Sequence, residues 1–123
     1  MIIDYDLAIV GAGWAGFNAA IKAHNLGLRV ALIDKLELGG TCLNRGCIPT
    51  KALIQSIKAF NLIKKANTFG IESAAPALNF TKLQERKDRI IQQLRQGIDF
   101  SLKGVDLINA SATVLSNQEL KVG

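Results

Sequence analysis

The chain has 123 residues, of which 49% are apolar and 20% charged, which suits one modest soluble globular domain. Two cysteines are too few for a disulfide-rich secreted scaffold, and no apolar run is long enough to cross a membrane. The net charge of +5 is spread along two helical segments and mixed with Glu85, Asp88 and Asp99, so it reads as solvated helix faces rather than a nucleic-acid surface.

No signal peptide is expected. Asp4 and Asp6 occupy the place of a basic leader, and the apolar run 7–10 is too short. The reducing cytoplasm is the expected compartment. "YDLAIVGAGWAGFNAAIKAHNLGLRVALIDK" reads as strand, tight turn, helix and strand. Residues 6–10 are a short apolar run ending at glycine, as a buried parallel strand does. Residues 13–26 are alanine-rich and helical, with Gly27 as the stop, and residues 29–34 form the second strand. The whole is a βαβ unit with a right-handed crossover.

Residues 35–46 read as loop. A helix is expected from about Pro49 to about Thr68, with Gly70 as its stop; proline is tolerated at a helix start because its missing N–H had no intrahelical partner. After a connection containing Pro76, Asn79 can cap a second long helix running to about Lys103. Its apolar residues Leu83, Ile90, Ile91, Leu94, Ile98 and Leu102 keep helical spacing, and Gly97 weakens it locally. The two helices read as an antiparallel pair. Residues 106–109 form a third strand, and residues 112–115 and 119–122 flank "SNQ" as a hairpin. The fold class is α/β: an incomplete Rossmann-like fold with a βαβ unit, a long antiparallel helix pair, a third parallel strand and a C-terminal hairpin. Such a hairpin is marginal without further strands to pack on.

"GAGWAG" is a G-x-G-x-x-G at Gly11, Gly13 and Gly16, placed between a strand and a helix, the context that gives the pattern meaning. Gly11 permits the turn, Gly13 lets backbone approach a pyrophosphate on the helix N-terminus, and Gly16 lets helix and strand pack closely. Asp34 ends the second strand, where a carboxylate can accept hydrogen bonds from an adenosine ribose and repels an extra phosphate. NAD and FAD both carry ADP, so the turn does not separate them.

Both cysteines lie in "LGGTCLNRGCIPTKAL". Metal binding is disfavoured: the spacing is C-x4-C, and the one histidine, His24, belongs to another helix. A bridge closing so short a loop would stabilise little. Redox use fits better. Cys47 lies at a helix N-terminus with Arg45 and Lys51 nearby, an arrangement expected to favour a thiolate, and two unequal thiols suit dithiol–disulfide exchange.

"GGTCLNRGCIPTKAL" resembles the redox-active segment of the FAD-dependent pyridine nucleotide–disulfide oxidoreductases, and is most similar to their dihydrolipoamide dehydrogenase branch. Mercuric and glutathione reductases share the frame but usually differ around "LN" and "IPT". The resemblance runs through the glycine turn, the helix pair and "INASATV", but to an N-terminal portion only. It implies that Cys42 is the interchange thiol that meets a dithiol or disulfide substrate of lipoamide type. Cys47 would be the charge-transfer thiol beside the flavin, and Lys51 would sit near the flavin's reactive nitrogen. Gly11, Gly13 and Gly16 would hold the FAD pyrophosphate, with Gly40 and Thr41 at the phosphates. Asp34, with Lys35 beside it, would take the ribose, and the stretch 110–112, Ala112 included, would lie near the adenine. The sequence departs from the family pattern at Trp14, where a small residue or proline is usual, at Asp34, where glutamate is commoner, and at Ala110 and Ala112, which replace glycines.

The resemblance also implies that the NAD-binding domain and the dimer-interface domain with its acid–base pair are absent. Residues 1–123 are then a partial FAD-binding domain, a truncated chain or one piece of a split enzyme, expected to be inactive alone and prone to self-association. The competing readings are a non-catalytic thiol or scaffold module that binds no flavin, and a bare domain for NAD or ADP-ribose.

Overall fold

The computed structural model describes residues 3–123. Strand β1 (Leu7–Val10) leads through the glycine turn into α1 (Trp14–Asn25) and on to β2 (Val30–Asp34). A short helix α2 (Gly40–Arg45) precedes α3 (Cys47–Lys64), and a 3₁₀ turn (Ala66–Phe69) ends that arm. Helix α4 (Phe80–Ser101) returns to β3 (Asp106–Asn109), and β4 (Ala112–Val114) with β5 (Leu120–Val122) closes the chain.

The first three strands form one parallel sheet in the order β1-β2-β3, and β4 pairs antiparallel with β5. Strand β2 lies between two neighbours, and Val30, Ala31, Leu32 and Ile33 are all buried. That is why it reads as a continuous apolar run rather than an alternating one. One set of its side chains, Val30 and Leu32, joins Phe17 and Ala20 of α1, Leu43 of α2, Ile91 and Ile98 of α4 and Leu102 just past the end of α4 in a common core. The other set, Ala31 and Ile33, lines a cleft together with its sheet neighbours Ala8 and Ile108 and the hairpin residues Leu120 and Val122. Leu32 and Leu43 are fully buried, and each such side chain contributes about 1.5–3 kcal/mol.

The α/β class, the three parallel strands, the helix pair and the hairpin agree with the sequence reading. Asn79 caps α4 by accepting from the Lys82 N–H at 3.0 Å. The helix pair is antiparallel, since Arg95 reaches Asn44 while Arg86 reaches Ala52 and Ser56. Several boundaries differ, among them the end of α3, which falls at Lys64 rather than about Thr68 and is followed by the 3₁₀ turn Ala66–Phe69. Residues 40–45, expected as loop, form α2, and α3 begins at Cys47 rather than Pro49. Pro49 is then the third helical residue, still among the positions whose N–H needs no helical acceptor.

Candidate functional site

The glycine turn begins where β1 ends. The Gly11 N–H donates to the Ile33 carbonyl at 2.7 Å, and Gly11 then takes a φ of +104°, open only to glycine at low cost. A Cβ on Gly16 would overlap the Gly11 carbonyl oxygen, so α1 and the turn touch through bare backbone. At Gly13 a Cβ would meet nothing within 4 Å. Glycine there leaves open space in front of the first N–H groups of α1, ahead of the first helical bond from Phe17 N–H to the Gly13 carbonyl. Such a helix start attracts a phosphate.

Asp34 ends β2 with both carboxylate oxygens engaged. Oδ2 accepts from the Ala12 N–H at 2.7 Å and Oδ1 from the Leu36 N–H at 2.8 Å. The side chain thus pins the glycine turn to the end of β2. Each carboxylate oxygen has a second lone pair, so hydroxyl donors can still bind. Asp34 lines two adjoining cavities. One, of about 200 Å³, is bounded by Ala12, Leu36, Glu37, Arg95 and Asn109 among others. The other, of about 130 Å³, runs to Gly40, Thr41, Asn44 and Arg45.

The cysteine loop docks on the turn. The Gly39 N–H donates to the Ala12 carbonyl at 2.9 Å. Gly40 lies so close that a Cβ would come within 2.8 Å of the Gly13 Cα. Both glycines have positive φ, +98° and +64°, which turns the chain into α2. A six-residue helix does not stand by itself; here Leu43 plugs the core and the Asn44 amide donates to the Gly40 and Leu38 carbonyls at 2.9 and 3.1 Å. At the α2–α3 junction a Cβ on Gly46 would press on the Thr41 carbonyl and the Cys42 Cα at 3.1 and 3.3 Å, so glycine lets the two cysteine-bearing helices meet.

Both thiols are free, Cys42 half-buried and Cys47 exposed at the first residue of α3. Cys42 is the chief influence on Cys47, and hydrogen bonding with it pushes the Cys47 thiol above its usual value. The helix backbone and Lys51, one turn along α3, pull the other way and are outweighed. The expectation of a favoured Cys47 thiolate is therefore corrected for this dithiol state. Arg45 is not among the groups that act on Cys47, and its guanidinium pairs with Glu37 at 3.3 Å.

Gly11, Gly13, Gly16 and Asp34 thus lie at one turn, Gly40 docks on it with Thr41 beside Gly40, and Cys42, Cys47 and Lys51 follow along α2 and α3. Lys35 is exposed and lines neither cavity next to Asp34. Ala112 opens β4, paired with Val122, and also lines neither; the backbone near it reaches the site through the Ala110 N–H, which donates to the Asp34 carbonyl at 3.1 Å. Trp14 stands exposed on the first turn of α1 with its ring 5.3 Å from that of Phe17, beside a groove along Val10, Gly11 and Gly13. Sequence reasoning missed Asn44 and Arg95, whose bond ties α2 to α4. The amide in "LNRG" was visible; its partner 51 residues later was not.

Among the described residues no helix is long and apolar enough to cross a membrane. The sequence model of the pyridine nucleotide-disulphide oxidoreductases matches residues 5–123. A dihydrolipoyl dehydrogenase of Bacillus subtilis is 44% identical over 103 residues, 84% of this chain and 22% of that protein. One from Acholeplasma laidlawii is 43% identical over 122 residues, 97% of this chain and 36% of that protein. Among solved structures, the Cu(II) complex of the HOCl-induced flavoprotein disulfide reductase RclA from Escherichia coli superposes with a TM-score of 0.76 at 30% identity. That match covers 95% of this chain and 24% of the reductase. The chain therefore spans roughly a quarter to a third of the length of these relatives.

Proposed function

The chain belongs to the pyridine nucleotide-disulphide oxidoreductases, and on that premise we propose that its turn and cysteine loop form the FAD-binding, dithiol–disulfide exchange segment of a dihydrolipoyl-dehydrogenase-like flavoprotein. The observation that carries this reading is the docking of Gly39 and Gly40 onto Ala12 and Gly13, which brings a phosphate-seeking helix start and a cysteine pair into one place. The residues fit the dinucleotide. The open space at Gly13 and the free N–H groups of α1 suit a pyrophosphate, and Asp34 retains acceptor capacity for ribose hydroxyls. FAD, when bound, would exchange an electron pair with the cysteine pair: it would accept the pair after a dithiol substrate has reduced the disulfide, and its reduced form would return it after a substrate disulfide has oxidised the thiols.

The chain's own residues account for the exchange. Hydrogen bonding with Cys42 pushes the Cys47 thiol up, and the first attack is assigned to Cys42 by its match to the family's interchange thiol. The Cys42 sulfur attacks a substrate disulfide, one substrate thiol leaves, and a mixed disulfide remains. Cys47 then loses its proton and attacks the Cys42 sulfur, releasing the second substrate thiol and leaving a Cys42–Cys47 disulfide. A dithiol substrate runs the same steps in reverse. Lys51 faces Cys47 from the next turn of α3 and lowers the cost of its thiolate. In the complete enzyme, nicotinamide binding and the acid–base pair would be supplied by residues outside these 123, and the substrate would be of lipoamide type.

The test is a trapping experiment with an acyclic aryl disulfide, whose first thiol diffuses away instead of reclosing the bond as a tethered dithiol does. Cys47→Ser should accumulate a mixed disulfide on Cys42, whereas the unsubstituted chain should release both aryl thiols and end as a Cys42–Cys47 disulfide. An unsubstituted chain that stalls at the mixed disulfide would overturn the reading.

A further inference from the structure

Arg95 is a half-buried cation on α4 that makes no ion pair within the salt-bridge distance among the described residues. Its guanidinium donates to Asn44 Oδ1, and its Nε is buried with no hydrogen-bond partner. A buried donor left open in this way calls for an acceptor. Arg95 also forms part of the wall of the 200 Å³ cavity that holds Asp34 and Asn109. On its other side, Asn44 secures the Gly40 and Leu38 carbonyls of the loop that leads to Cys42.

We propose that Arg95 is a positioning residue that ties the nucleotide cavity to the cysteine loop. Its guanidinium holds Asn44, Asn44 holds the loop backbone, and an adenine nucleotide seated beside Asp34 packs against Arg95 at the wall of the same cavity. Nucleotide binding then stiffens α2 and changes the accessibility of Cys42. This rests on the flavin-nucleotide reading above. The planar fork matters as well as the charge, because the terminal nitrogen on Asn44 is held at a fixed angle to the rest of the guanidinium.

The probe is ADP, which carries the adenosine and pyrophosphate but no flavin. Iodoacetamide labelling of Cys42 and Cys47 is followed separately by mass spectrometry, with and without ADP, in the unsubstituted chain, Arg95→Met and Arg95→Lys. Circular dichroism confirms the fold of each. In the unsubstituted chain ADP should slow Cys42 labelling about fivefold, the low end of common coupling factors. Arg95→Met should label faster at Cys42 without ADP, bind ADP about tenfold more weakly, and show no ADP effect at saturation. Arg95→Lys, with charge but no fork, should recover part of the ADP affinity and none of the effect on Cys42. An Arg95→Met chain with the original labelling ratio and ADP response overturns the proposal, as does an unsubstituted chain that binds ADP with no change at Cys42. If the unsubstituted chain binds no ADP, the flavin-nucleotide reading fails. The positioning claim is then decided by the nucleotide-free labelling ratio, and a ratio unchanged in Arg95→Met refutes it. Should Arg95→Met fail to fold, Arg95→Lys decides by the same readouts.

Discussion

The glycine turn and the cysteine loop meet in one site but are held by different means. The turn is fixed chiefly by backbone against backbone, with Gly16 under the Gly11 carbonyl and Gly11 bonded to Ile33, and the Asp34 carboxylate adds a side-chain tie at Ala12. The loop is fixed by side chains: Leu43 in the core, the Asn44 amide on two carbonyls, and Arg95 reaching in from α4. The first kind of constraint permits almost no variation, which suits a rigid phosphate cradle. The second can give by small side-chain movements, which suits a segment whose sulfur atoms must make and break bonds.

Substitutions can break this contrast in graded steps. The largest effect is expected from Gly16→Ala, because a methyl group would overlap a backbone oxygen that cannot move without dragging β1. A loss of about 4 kcal/mol or more is expected, read as loss of the cooperative thermal transition. Gly40→Ala strikes the junction. Its positive φ alone costs about 1–2 kcal/mol in a residue with a Cβ, and the approach to Gly13 adds overlap, so denaturant unfolding should show the loss together with weakened FAD binding. Asn44→Ala leaves the turn intact and frees the loop. About 1–3 kcal/mol of stability should be lost, and Cys42 should label faster while hydrogen exchange at Gly11–Gly16 stays slow.

The smallest effects concern the thiols. Because Cys42 is what raises Cys47, labelling of Cys47 should set in above the pH typical of a free cysteine, and Cys42→Ala should move that onset down. Lys51→Gln should move it up, since the ammonium acts to lower it. A pH series of single-site labelling checks both directions. An onset insensitive to Cys42 would mean that the thiols do not sense each other.

The turn was legible in the sequence because its constraints are local. G-x-G-x-x-G after an apolar strand carries its own geometry, and Asp34 follows at the strand end. The strands were legible as short apolar runs, and the second long helix from its helical spacing and its Asn79 cap. The loop was legible only as a motif. Helix α2 escaped detection because six residues after two glycines show no period. The stabilising role of Asn44 escaped because its anchor, Arg95, looked like one more charge on an amphipathic helix. Arg45 was assigned to the thiols by proximity in sequence, whereas Glu37, eight residues earlier, holds it. Lys35 and Ala112 followed the resemblance to positions that the cavities beside Asp34 do not include.

The central claim is that turn and loop make one flavin-nucleotide site with the cysteine pair at its edge. Its most direct test is the visible absorption spectrum of the chain mixed with FAD and freed of excess by gel filtration, taken before and after mild reduction by a dithiol. The account predicts a flavin spectrum that elutes with the protein and gains long-wavelength absorption when the dithiol reduces the pair. Flavin that separates completely from a folded chain would contradict it.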